Sequence, residues 1–155
     1  MRTTRIFTAL LLVSGCALET QVDVVTVFTH GNCGRAVSGV ELVDLEAVAA
    51  LRPSTRLIGM KGAPERAEEG VLLVAIGQGT RPTPGYGLAV AKPGVLDAGT
   101  LTLPIAEKRP PEDAVMAQMI TQPCLVVGVP ETGVSSVKAV TADGTVIGEV
   151  SINPQ

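Results

Sequence analysis

His30-x-x-Cys33 is the one place in this sequence where residue types and spacing point toward reactive chemistry, either a thiolate-imidazole couple or part of a metal site. A structural zinc site takes four Cys or His ligands, usually as spaced pairs. The chain holds one histidine and three cysteines, none of them in a paired spacing. No Gly-x-Ser-x-Gly elbow occurs, no Ser-x-x-Lys pair precedes a helix, and Gly77-x-Gly79 lacks the third glycine and the helix of a dinucleotide loop. The acid pairs Glu68-Glu69 and Glu112-Asp113 sit among Pro, Gly and other charges, where nothing would desolvate a carboxyl and tune its pKa. The sequence therefore predicts no catalytic residue, no metal and no cofactor. Without Trp, and with Phe28 and Tyr86 the only aromatic residues after the amino-terminal segment, stacking platforms for sugars or bases are missing. A net charge of −3 with no block of Lys or Arg excludes nucleic acid as a partner.

The amino terminus assigns the cysteines. Arg2 and Arg5 precede the apolar run Ile6 to Val13, broken only by Thr8, and Ser14-Gly15-Cys16 follows. Residues 1–15 read as a signal peptide, too short to span a bilayer as a stable helix. Leu12-Val13-Ser14-Gly15-Cys16 resembles a bacterial lipobox, which implies acylation at Cys16 and a membrane anchor. A plain secretory signal cut nearby is the competing reading. Ala17 stands where some lipoproteins carry an inner-membrane retention aspartate, which favours the outer membrane of a bacterial cell envelope. Cys33 and Cys124 then remain in an oxidising compartment and are expected to form a disulfide, two buried thiols being the alternative. A thiol nucleophile at Cys33 would have to stay reduced there, which argues against catalysis with His30.

The best candidate for a working surface is the polar loop Gly77-Gln-Gly-Thr-Arg-Pro-Thr-Pro-Gly-Tyr86, which interrupts a long apolar stretch and exits at the only tyrosine. Pro82 and Pro84 fix φ, and Gly85 and Gly87 open angles closed to other residues, so the loop is stiff and preorganised. Arg81, Pro82, Thr83, Pro84, Gly85 and Tyr86 are the predicted partner-binding residues. The competing role for Tyr86 is packing beneath the turn with its hydroxyl on backbone.

Most other segments read as strands. These are Gln21 to Thr29, Val71 to Ile76, Tyr86 to Ala91, Thr100 to Ile105, Val115 to Thr121, Leu125 to Val129, Val134 to Val140 and Val146 to Ile152, with a tight hairpin at Asp143-Gly144. Ser38 with Glu41 resembles a capping box, and the spacing of Leu42, Leu45, Val48 and Ala49 predicts one short helix ending before Pro53. Residues 53–70 read as a surface excursion. The expected fold is mainly β, an antiparallel β-sandwich or open barrel with one short helix, in which residues 16–70 and 71–155 belong to one domain.

From Val71 onward the sequence resembles the carboxy-terminal domain of the PrcB family, named for an accessory lipoprotein of a secreted-protease complex. The residues that carry this are Val71 to Ile76, Gly77, Arg81-Pro82-Thr83-Pro84-Gly85-Tyr86, Leu101-Thr102-Leu103, Pro110-Pro111, Gln118, Thr121 and Pro123-Cys124-Leu125-Val126-Val127. Pro84 departs from the pattern, which usually shows a second glycine there. The resemblance implies an envelope lipoprotein that binds and stabilises a partner protein, a protease by precedent, with no active site of its own. A second reading is a protease inhibitor, since the same loop is similar to the Asn-Pro-Thr-Thr-Gly-Tyr loop of chagasin-type inhibitors, with Arg81 replacing the Asn and Pro84 a Thr. The Arg-Pro-Trp loop of that family is absent. An enzyme of some other kind is the third reading, disfavoured by the missing motifs.

Overall fold

The computed structural model describes residues 19–50 and 69–152. Ten strands and one helix follow in the order β1 Thr20–Val22, β2 Val25–His30, β3 Ser38–Val43, α1 Leu45–Ala50, β4 Val71–Gln78, β5 Gly87–Val90, β6 Gly94–Asp97, β7 Thr100–Lys108, β8 Cys124–Pro130, β9 Ser136–Thr141 and β10 Val146–Ser151. One sheet runs β1-β6-β7-β9-β10 with β5 also on β7, and the other runs β2-β8-β4-β3. The fold is mainly β, as expected, and the sheets face each other without closing into a barrel. Pairing is antiparallel except between β7 and β9, which run parallel with Thr100 opposite Ser136. That pair departs from the expected all-antiparallel arrangement. It arises because the chain leaves β7, crosses to β8 in the other sheet, and returns to β7's free edge.

Strand alternation builds the core. Val74 and Ile76 of β4, Leu125, Val127 and Val129 of β8, Leu101, Leu103 and Ile105 of β7, and Val137 and Ala139 of β9 fill the space between the sheets. Each fully buried Leu or Ile contributes about 1.5–3 kcal/mol relative to an exposed one. The residues of opposite parity, Leu73, Ala75, Cys124 and Val126, face outward under Phe28, Cys33 and Val48 of α1. β4 and β8 are thus apolar on both faces, which explains their unbroken hydrophobic runs. β5 and β6 lie one after the other on the same edge of β7. The interruption falls at Lys92-Pro93, and Pro104, which has no N–H to give, sits across from it and accepts from Ala91 N at 2.9 Å.

Two expectations are corrected. Ser38 to Val43 form edge strand β3 on β4 instead of opening a helix; β-branched Val40 and Val43 favour extended backbone. The helix is capped by Asp44, whose Oδ1 accepts from Ala47 N at 2.7 Å. Val115 to Ile120 form no strand, because both edges of β7 and of β8 are already paired. The Asp143-Gly144 hairpin forms as read, with Gly144 at φ 84°. A hairpin not foreseen joins β6 to β7 through Ala98 (φ 46°) and Gly99 (φ 85°), the two positive values of a type I′ turn.

Candidate functional site: the loop pair at one end of the sandwich

Residues Arg81 to Tyr86 project from the end of the sandwich where β4 finishes, beside the long connection 109–123 that links β7 to β8. The two segments are joined. Arg81 N donates to Thr121 O at 2.8 Å, Thr121 N returns a bond to Arg81 O at 2.9 Å, and the buried Thr121 hydroxyl donates to Thr83 O at 3.0 Å. Pro84-Gly85 occupy the centre of a turn with Gly85 at φ 97°, the angle a type II turn demands of its third residue. A Cβ at Gly85 would lie 3.0 Å from Pro110 Cβ and 3.2 Å from Met116 Cε, so the opposing connection packs directly on that turn. The loop is stiff in itself and is held from one side.

Beneath the loop the core ends in polar residues that continue its own alternation. Gln78 follows Val74 and Ile76 on β4, and Glu107 follows Leu101, Leu103 and Ile105 on β7. Gln78 Nε2 donates to Glu107 Oε1 at 3.0 Å, and Arg109 donates to Glu107 Oε2 at 3.3 Å. Arg81 Nη2 stands 3.7 Å from Glu107 Oε1, and its guanidinium lies over the Tyr86 ring with Cζ 5.5 Å from the centroid. Among the described residues the Tyr86 hydroxyl has no hydrogen-bond partner. The ring therefore serves as a platform for Arg81.

Cys33 and Cys124 are bonded, with Cα atoms 5.9 Å apart and 91 positions between them in sequence. The bridge lies just below the loop pair, because Cys33 N donates to Gln122 O at 2.7 Å and Gln78 N to Pro123 O at 2.9 Å. It thereby fixes the segment that delivers Thr121. His30 is used locally, its Nδ1 accepting from Asn32 N at 2.9 Å. With Cys33 in the bridge, no thiol among the described residues faces that ring. Among the described residues no three His, Cys, Asp or Glu side chains come together as a metal site. Cys16 lies outside the described residues.

Sequence reasoning placed Arg81 to Tyr86 but missed Gln78, Glu107, Arg109 and the exposed apolar residues Val115, Met119 and Ile120 that flank the loop. The two-residue period that puts Leu103 and Ile105 in the core also puts Glu107 on the core face, and that signal was available.

Fold and site define a disulfide-bonded β-sandwich module that presents a stiff, two-segment tip. Residues 72–130, from β4 to the end of β8, match the family model described as PrcB C-terminal, so this part of the chain is similar to that family. Both tip segments fall inside the match. In general terms the family suggests an accessory role in a protease complex rather than a catalytic one. The comparisons lend no support to the chagasin-type reading. No curated protein and no solved structure matches the chain.

Proposed function

We propose that this protein is a lipid-anchored accessory protein of the bacterial cell envelope that binds and stabilises a partner, a protease complex by family precedent, and catalyses no reaction. The observation that carries this reading is the placement of the tip. β1 pairs Thr20 with Leu96, next to the Ala98-Gly99 hairpin that starts β7, whereas the tip lies beyond Lys108 at the other end of that strand. Eight residue steps of about 3.3 Å separate those ends by roughly 26 Å. Cys16 precedes Thr20 by four residues, a reach of about 14 Å at most. An acyl chain on Cys16 holds the hairpin end toward the membrane and turns the tip outward, toward a protein.

Photo-cross-linking in intact cells tests this reading, with a photoactivatable residue placed at Pro82 or, as control, at Ala98. The expected result is a discrete adduct with an envelope protein from position 82 and none from position 98. Equal adducts from both positions, or none from the tip, would rule the reading out.

A further inference from the structure

We infer that the tip receives a carboxylate side chain of the partner protein on the guanidinium of Arg81, with an apolar residue next to that acid seated against Met119 and Ile120. This rests on the reading of the tip as the partner-binding face. Among the described residues the Arg81 guanidinium makes no hydrogen bond, and its Nε is buried without a partner. Glu107 is a shared acceptor, hydrogen-bonded by Gln78 Nε2 at 3.0 Å and Arg109 at 3.3 Å, and Arg81 stands only at ion-pair distance from it, 3.7 Å. Two guanidinium groups thus share one carboxylate. Positive charge is left unbalanced around Glu107.

A guanidinium fork matches a carboxylate in two parallel bonds, and a partner acid would approach Arg81 through the exposed part of its side chain. The Arg81 side chain is 34% exposed, enough to turn off Glu107 while its flat face stays on Tyr86. Ile120 immediately precedes Thr121, the residue whose backbone pairs with Arg81, and both Ile120 and Met119 are exposed. The acid is thereby given an apolar neighbour to fill. Glu112 and Asp113 are exposed residues of the same connection, between Pro110 and Met116, and among the described residues neither forms an ion pair with Arg81.

The probe is a phage library of random peptides about twelve residues long, selected on the full chain and remade as synthetic peptides. Enriched sequences are expected to share Asp or Glu beside a large apolar residue. Replacing that acid with its amide, or using the Arg81→Gln protein, should weaken binding about tenfold or more, the scale of one charge-assisted pair. The amide replacement leaves the protein untouched, so the result does not hinge on how the variant folds. Enriched peptides without an acid, peptides that bind Arg81→Gln as tightly as the parent, or no enrichment would overturn the inference. Tip cross-linking in cells combined with acid-independent peptide binding would leave the partner-binding face standing and remove this inference alone.

Discussion

Arg81 and Thr121 exchange a pair of backbone hydrogen bonds of 2.8 and 2.9 Å, and this two-bond bridge holds the Pro/Gly loop against the connection between β7 and β8. The Thr121 hydroxyl adds a third bond, to Thr83 O. Thr121→Val keeps the shape and removes that bond, which leaves a carbonyl unpaired and costs about 1 kcal/mol. The expected result is a drop of several degrees in Tm together with faster amide exchange across residues 81–86. Unchanged exchange would show that the loop is stiff without its neighbour.

The disulfide is the second support of the tip. Closing a loop of 91 positions stabilises by about 4 to 5 kcal/mol in the chain-entropy model. Cys33→Ser with Cys124→Ser is expected to lower the urea midpoint by a large fraction of the total stability. Thiol labelling of the unreduced protein should find neither residue reactive.

Gly148 marks where β10 crosses β3 at the edge of the sandwich. A Cβ there would come within 2.8 Å of Val40 N and 3.0 Å of Gly39 Cα, both backbone atoms that cannot rotate away. Gly148→Ala should destabilise by about 1 to 3 kcal/mol through overpacking, read as a lower denaturant midpoint. Gly144→Ala, strained by its positive φ of 84° but facing open space, tests angle rather than contact.

The Thr141 hydroxyl donates to the Asp143 carboxylate, and Thr145 N donates to it as well, so the Asp143 pKa lies below its usual 3.8. A carboxyl whose pKa is depressed on folding adds stability above its unfolded pKa and loses it as pH falls through the folded value. Asp143→Ala should therefore lower Tm at pH 7 and lose its effect as the pH is taken well below 3.8. A difference that persists unchanged at the acid end would assign the effect to turn geometry and not to charge.

Much of this architecture was legible in the residues. The double-sided runs of β4 and β8, the Asp143-Gly144 turn and the pairing of Cys33 with Cys124 follow from pattern and composition. What failed was local preference without a partner. Val115 to Thr121 has the composition of a strand, yet the two strands it connects, β7 and β8, have both edges paired already. Ser38 and Glu41 mimic a capping box, but the register with β4 and the true cap at Asp44 override it. Of the site, the loop was readable from its Pro and Gly residues. Glu107 could be placed on the core face from its period, but the convergence of Gln78, Arg81 and Arg109 on it required knowing that β4 and β7 end side by side in opposite sheets.

The account stands most directly on the pair Arg81→Ala with Tyr86→Ala, measured for partner capture from envelope extracts and for Tm in the same preparation. Their mutual contact is worth about 0.5–1 kcal/mol at an exposed site, so Tm should move by only a few degrees while capture is lost. Capture that survives the double substitution, or a Tm that collapses with it, would contradict a tip built for binding.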